Sequence, residues 1–446
     1  MFTLREICTA TGGRGESLPD LTIDAVSTDS RNIEPGQLFI PLRGERFDGH
    51  DYLETALSRG CRAVLAESGW LRGRTIPAGA AVIEVQDTLR ALGDLAAWHR
   101  RRFDLRVCGI TGSNGKTTTK EMLGAILGRT GSGLKTIGNL NNLVGLPQML
   151  FRLSAGDRWA VLEMGMSEPG EIDRLAEIAG PEVGVITNVH PAHLASMGSV
   201  AAVARAKGEL FLRLPAGGWA VANADDPLVA ALPVAPETER ITFGLYGGDV
   251  RGVAAVNRGI EGQLLTMETP SGRLAVNLRA FGRHNVCNAL AATAAAYALG
   301  IAPETIVAGL EAFTPYDRRF SVEKRGGVVL VDDSYNANPA SVRAALETLA
   351  EICGGRRIAV LGDMLELGHE SEAAHREIGA LAAGTVQRLY LLGEQAAVVA
   401  EGAMDAGMQG RGILVARSVE EIIDDLRMTL AAGDCILVKG SRGMRM

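Results

Sequence analysis

The chain has 446 residues, with 45 lysines and arginines against 52 aspartates and glutamates, for a formal net charge of -7. That balance offers no general attraction to nucleic acid or to an anionic membrane, so a polyanionic ligand must be met by a local site. At roughly 150 residues per domain the length predicts about three domains, too many residues for one core.

Six widely spaced cysteines with no C-x-x-C pair predict free thiols in a reducing compartment. The N-terminal stretch MFTLREICTATGG has no basic segment followed by a long apolar one, and no charge-free apolar run reaches 18 residues. A soluble cytoplasmic protein is the expectation, with a monomer as the default.

From the N-terminus, short β-like runs at Ala25–Thr28, Leu38–Pro41, Ala63–Ala66 and Ala81–Val85 surround a helix at Asp51–Arg59, with glycines and prolines marking turns. This predicts a small α/β domain over residues 1–85, followed by a connecting helix at Thr88–Arg102. Residues 86–314 change rhythm to apolar strand, glycine or polar loop, then helix. Val107–Ile110, Trp159–Met164, Val183–Asn188 and Gly218–Ala222 read as buried parallel strands of a doubly wound sheet. Between Ile241 and Ala280 short alternating segments rich in glycine predict an added antiparallel hairpin region, and a helix follows at Val286–Leu299. Residues 315–446 repeat the α/β pattern at Val328–Val331, Ile358–Leu361, Leu389–Leu392, Ile413–Val415 and Cys435–Val438. The fold class is therefore α/β in three domains, the last a second Rossmann-like sheet.

The segment with the most chemical content is Thr111–Lys120, TGSNGKTTTK, between an apolar run and a helical stretch. Gly112 and Gly115 let backbone N–H groups approach phosphate oxygens, Lys116 places a cation on the outer phosphates, and the Thr117 hydroxyl can hold Mg²⁺. The helix adds its N-terminal partial positive charge. Thr111, Gly112, Ser113, Asn114, Gly115, Lys116, Thr117 and Thr118 are thus the expected nucleotide-phosphate site. The usual pattern has glycine where this chain has Ile110, so the loop is of a compact G-x-x-G-K-T form.

Five further segments concentrate polar residues where a parallel sheet presents them. NLNNLVGLP carries Asn139, Asn141 and Asn142, for which Asx turns are the plain alternative. In LEMGMSEPGEI, Glu163 closes a strand, where a carboxylate can coordinate Mg²⁺ opposite Thr117. In TNVHPAHLASMGS, His190 and His193 lie three apart across Pro191, which excludes a simple helical zinc pair but leaves one of them free to meet metal or phosphate. Lys207, in ARAKGEL, lies on a helical stretch where a solvated face is the default. In FGRHNVCNALAA, His284 and Asn288 share a helical face and could meet an adenine edge. In the last segment Asp333 stands at the end of a buried strand, with Tyr335 and Asn338 close by, where it could contact nucleotide, and Arg318 or Arg319 could neutralise a phosphate in transfer.

In order and approximate spacing, TGSNGKTTTK, GNLNNLVGLP, LEMGMSEPGEI, TNVHPAHLASMGS, ARAKGEL, GRHNVCNALAA and DDSYNANP resemble the Mur ligases over nearly the whole chain. The resemblance implies an ATP-dependent ligase that joins D-alanyl-D-alanine to UDP-N-acetylmuramoyl-tripeptide through an acyl phosphate, for peptidoglycan synthesis, with ATP and two Mg²⁺ ions. It implies that Lys116 serves the ATP phosphates, that Thr117 and Glu163 bind one Mg²⁺, and that Lys207 becomes carbamylated and binds a second with His193. It places His284 and Asn288 at the adenine, and Asp333 and Tyr335 at the ribose and phosphates. Arg318 is favoured over Arg319 for the transferred phosphate. AVSTDSRNIEPGQLFIPLRGERFDGHDY resembles the family's uridine-diphosphate-binding domain. That likeness implicates Ser30, Arg31, Asp48 and His50, with Asn139, Asn141 and Asn142, in holding the UDP-linked substrate. Two other readings stay open: a sibling ligase that adds a single amino acid, such as a folylpolyglutamate synthetase, and an ATP-hydrolysing regulatory switch. DDSYNANP and GDMLELG, at Gly362–Gly368, argue against the siblings.

Overall fold

The structure is a computed structural model that describes residues 2–15, 19–44, 46–72, 74, 81–191, 197–316 and 318–446. Its contacts divide the chain into two compact units. One comprises residues 1–107, 132–166 and 171–181; the other comprises 108–131, 167–170 and 182–446.

The first unit holds a four-stranded parallel sheet in the order Val26–Ser27, Leu38–Phe39, Ala63–Glu67, Ala81–Val85. Alternation decides its two faces. Leu38, Ile40, Leu65 and Ile83 point into a core with Ile7, Leu92 and Leu95 from the helices Leu4–Thr11 and Thr88–Arg100. Phe39 and Val64 turn the other way, onto Leu53 and Ala56 of the helix Leu53–Ser58. The same unit contains the parallel strands Gly133–Lys135 and Trp159–Glu163.

In the second unit the strand Arg106–Thr111, which belongs to it from Cys108 onward, pairs in parallel with Val183–Ile186. Trp219–Asn223 and Glu239–Gly244 continue the parallel order. The expected antiparallel region is present in Val250–Asn257, Gln263–Thr269 and Gly272–Leu278, but Glu239–Gly244 belongs to the parallel part. The helix Gly282–Ala298 starts four residues earlier than Val286.

A six-stranded sheet follows, in the order Ser321–Arg325, Val328–Asp332, Cys435–Lys439, Arg357–Gly362, Arg388–Leu392, Ile413–Val415. The first of these strands was not expected, because SVEKR carries no apolar signature. It pairs antiparallel through a two-residue turn at Gly326 and Gly327, with φ of +56° and +83°. Two positive φ values in a two-residue loop make a type I′ hairpin, which glycine pairs favour.

The reading of six free thiols is corrected by the disulfide between Cys353 and Cys435, 82 residues apart in sequence. The topology brings the end of the helix Pro339–Ile352 to the start of a central strand, which cysteine spacing alone does not encode. Cys8, Cys61, Cys108 and Cys287 are free. Among the described residues no helix is long and apolar enough to cross a membrane.

Candidate active site

The carboxyl ends of parallel strands carry the site, as the sheet type requires. The strand Arg106–Thr111 runs into a loop whose two glycines cannot be replaced in place. Gly112 has φ of +147°, and a Cβ there would lie 1.9 Å from Thr187 Oγ1. At Gly115, φ is +85°, and a Cβ would lie 2.2 Å from Asn288 Oδ1. Both clashes and both φ values exclude an L side chain. Gly115 N-caps the helix Lys116–Leu127 without a side-chain cap, which leaves its N-terminal dipole to an anion. Lys116 arcs back over the loop, its Nζ donating to the Gly112 carbonyl at 2.6 Å.

Residues after the strand Val183–Ile186 brace that loop from beside it. Thr187 Oγ1 donates to the Asn114 carbonyl at 2.6 Å, and Asn188 both accepts from the Asn114 N–H at 2.9 Å and donates to its carbonyl at 3.1 Å. Ser113 and His190 exchange main-chain and hydroxyl hydrogen bonds at 2.9 and 3.0 Å. Thr187 and Asn188 were not singled out from sequence. Their signal was their place at the end of an apolar strand next to the glycine loop. Burial lowers the His190 pKa, with Asp226 opposing. His193 lies outside the described residues.

Lys207, on the helix Val200–Leu212, is not on a solvated face. It is 3% exposed, and its pKa falls well below the ordinary lysine value through burial, then through the charge of Lys116. Burial and a nearby cation both shift the balance toward the neutral form of the amine, the form that is nucleophilic.

Asn288 lies against the phosphate loop. Its Oδ1 accepts from Thr119 Oγ1 at 3.4 Å, and its Nδ2 donates to Asn285 Oδ1 at 3.0 Å. Asn285, overlooked in the sequence, donates in turn to the Phe281 carbonyl at 2.9 Å. One turn earlier, His284 stands edge-on to Phe320, with its buried Nδ1 lacking a hydrogen-bond partner. Burial pushes its pKa down to about 4, against the opposing pull of Asp333 and with a small contribution from Lys439.

The loop after Val328–Asp332 is fixed from two sides. Asp333 accepts from the Phe320 N–H at 3.1 Å and from Lys439 Nζ at 2.5 Å, and Lys439 also donates to the Asn336 carbonyl at 2.9 Å. Lys439, 2% exposed at the end of a central strand, is the cation that sequence reading missed, since 106 residues separate it from Asp333. The two arginines diverge. Arg319 stacks on Tyr335 with its guanidinium carbon 4.0 Å from the ring centre, while the Arg318 side chain is exposed and its carbonyl accepts the Tyr335 N–H at 3.2 Å.

In the first unit Glu163 ends its strand 2% exposed, with its N–H donating to Thr136 Oγ1 at 2.9 Å. Asn141 Nδ2 reaches Glu163 Oε2 at 3.5 Å, at the outer limit of a hydrogen bond. Asn142 forms an Asx turn, its Oδ1 accepting from Val144 N–H at 3.2 Å and Gly145 N–H at 2.8 Å. Asn139 is exposed.

Ser30 is buried and Arg31 exposed. Asp29 grips Arg31 with two hydrogen bonds of 2.9 Å, and those bonds pull the Asp29 pKa down to about 2. His50 has both ring nitrogens engaged within the protein. It is fully buried, Nδ1 meets Asp48 Oδ1 at 2.6 Å, and Nε2 accepts the Glu67 N–H at 3.2 Å. His50 thus braces Asp48 and the Glu67 backbone.

Among the described residues no group of three or more His, Cys, Asp or Glu side chains could hold a metal. Family profiles match three successive stretches. Residues 22–100 match the Mur ligase family catalytic domain, 110–296 the Mur ligase middle domain and 318–442 the Mur ligase glutamate ligase domain. The chain is 39% identical to the UDP-N-acetylmuramoyl-tripeptide–D-alanyl-D-alanine ligase of Bacillus subtilis, covering 95% of this chain and 92% of that one. It is 38% identical to the enzyme of that name from Escherichia coli, over 96% and 93%. Crystal structure I of MurF from Acinetobacter baumannii superposes with a TM-score of 0.91 at 35% identity, over 100% and 97% of the two chains. MurF ligase from Thermotoga maritima in complex with ADP gives 0.85 at 30% identity, over 96% of each.

Proposed function

The chain belongs to the Mur ligase family, and on that premise we propose that it is an ATP-dependent ligase joining D-alanyl-D-alanine to UDP-N-acetylmuramoyl-tripeptide in peptidoglycan precursor synthesis. The three-domain α/β fold, with an ATP-binding middle domain and a Rossmann-like last domain, accords with it.

A carboxylate resists attack by an amine because its carbon is electron-rich and oxide leaves poorly. Transfer of the ATP γ-phosphoryl group to the tripeptide carboxylate forms an acyl phosphate and releases ADP. The D-alanyl-D-alanine amine then attacks the carbonyl carbon, the C–O bond to phosphate breaks, and an amide, phosphate and a proton result. Phosphoryl transfer is mostly positioning and charge neutralisation. In this reading Asn188 takes the N–H groups of Ser113 and Asn114 and holds the loop in shape, the first turn of the helix Lys116–Leu127 meets the phosphates, Lys116 neutralises their outer oxygens, and Asp333 and Tyr335 align the nucleoside end. Arg319, already stacked on Tyr335, is the better placed of the two arginines for a nucleotide contact, while Arg318 retains the freedom to reach a transferring phosphate.

The observation that carries the ligase reading beyond simple ATP hydrolysis is Lys207. The amine in its neutral form, which burial favours, can add to CO₂, losing one proton to give a carbamate. That converts a buried amine beside Lys116 into an anion, which reverses the sign of its interaction with that cation. Thr117 and Glu163 are the proposed ligands of one Mg²⁺, and a Lys207 carbamate with His193 those of a second; hydroxyl and carboxylate oxygens are hard donors that suit Mg²⁺, whose chemistry would be to neutralise charge on the phosphates.

Phosphate release is the test. Wild-type protein with Mg-ATP should release phosphate only when both the UDP-linked tripeptide and D-alanyl-D-alanine are present. Release without any amine would favour a hydrolytic switch, and release with a single amino acid in place of the dipeptide would favour a sibling ligase.

A further inference from the structure

Asn338 uses both ends of its side-chain amide. It N-caps the helix Pro339–Ile352, where its Oδ1 accepts the Ser341 N–H at 2.9 Å and Ser341 Oγ accepts the Asn338 N–H at 3.0 Å. Its Nδ2 donates to Asn114 Oδ1, in the phosphate loop, at 2.7 Å. The cap settles the chemistry of the second bond. An amide whose oxygen is committed to a backbone N–H must present its NH₂ on the other side, so Asn114 has to offer its oxygen.

Asn114 is equally committed. Its N–H and carbonyl are taken by Thr187 and Asn188, which leaves the side chain for Asn338. Residues 333–338 are thus tied down at both ends, by Lys439 on Asp333 at one and by Asn114 on Asn338 at the other.

We infer that the Asn114–Asn338 bond is a latch that sets the register of the Asp333–Asn338 loop on the phosphate loop, making Asn338 a positioning residue for the nucleotide. The inference rests on the reading that Gly112–Thr118 holds ATP. Its physical content is specific. The backbone that cradles phosphate and the backbone that offers Asp333 and Tyr335 are joined by one side-chain hydrogen bond, so displacing either loop displaces the other. A capping asparagine needs only its oxygen; the donated N–H is surplus to the cap and is spent on the latch.

The test uses full-length protein with Asn114→Ala, Asn338→Ser and the double substitution. Serine keeps a good N-cap but is too short to reach Asn114, so the helix is preserved while the latch is lost. Each single substitution should raise the KM for ATP about tenfold, the worth of one well-made hydrogen bond in a partly dry site. The double should stay within about twofold of the worse single, because both changes remove one bond. The KM for the UDP-linked tripeptide should not move. A wild-type KM for ATP in Asn338→Ser, effects that multiply in the double, or a tripeptide KM that rises in step would each overturn the latch. Calorimetry with Mg-ATP alone on the same four proteins separates this from the ligase reading. If phosphate release fails its substrate requirement while the tenfold losses in ATP binding persist, the ligase reading falls and the latch stands.

Discussion

Replacing Gly115 with alanine measures how tightly the phosphate loop and the helix Gly282–Ala298 are fitted. At φ of +85° an L side chain is strained, at about 1–2 kcal/mol. The new Cβ would also lie 2.2 Å from Asn288 Oδ1, so the Asn288 side chain must retreat by more than about 1 Å to reach ordinary contact. That retreat disturbs its bonds to Asn285 and Thr119, for roughly another 1–2 kcal/mol. The sum is about 3 kcal/mol in the wild-type background. In an Asn288→Ala background the clash has no partner and only the φ strain remains, about 1–2 kcal/mol. Urea denaturation of the four proteins followed by far-ultraviolet circular dichroism gives the cycle, with an expected coupling of about 1–2 kcal/mol. Equal costs of Gly115→Ala in both backgrounds would refute the close approach of Asn288 as the reason for glycine.

Lys207→Ala should abolish phosphate release and regain a fraction of it with millimolar acetate or formate, read by the same assay; a variant that keeps wild-type turnover would remove Lys207 from the chemistry. Burial holds His99 at a pKa of about 4, so between pH 6.5 and about 4 the unfolded chain binds a proton that the folded chain refuses. Its contribution is therefore complete above pH 6.5 and declines by about 3 kcal/mol on the way down to pH 4. His99→Phe, set among Phe2, Phe103 and Phe151, should flatten that acid limb of melting temperature against pH, and an unchanged slope would exclude His99 as its source. Reducing the Cys353–Cys435 disulfide, which closes a loop of 82 residues, should cost up to about 4–5 kcal/mol of stability on loop entropy. Thermal melts with and without dithiothreitol should differ in wild type and coincide in Cys353→Ser.

The glycine loop was legible because its chemistry is local: glycines, a lysine and a threonine within seven residues, between an apolar strand and a helix. Parallel strands such as Val183–Ile186 were legible because burial on both faces leaves a continuous apolar run. What escaped depends on which strand ends meet. Lys439 stands beside Asp333 because Cys435–Lys439 and Val328–Asp332 are parallel neighbours, a pairing with no trace in either segment. Lys207 showed the converse, since a lone lysine on a helix has no local mark of burial and only the family resemblance distinguished it. The burial of His50 was hidden for a related reason. An exposed loop histidine and one buried between Asp48 and the Glu67 backbone look alike in sequence. Ser321–Arg325 did leave a mark, the glycine pair after it, but its charged residues hid the strand that the pair was turning.

The strand Cys435–Lys439 begins at a covalent crosslink and ends at the lysine that grips Asp333. It spans about 13 Å from first to last residue, with a parallel ladder along each side, from Val328–Asp332 and from Arg357–Gly362. Mechanically it is a tie-rod clamped along its length, not a cord held by its two ends. Slack admitted at Cys435 by a reductant is taken up in the ladders before it can travel to Lys439. Redox state is thereby expected to act on the stability of the sheet and not on the end that holds Asp333.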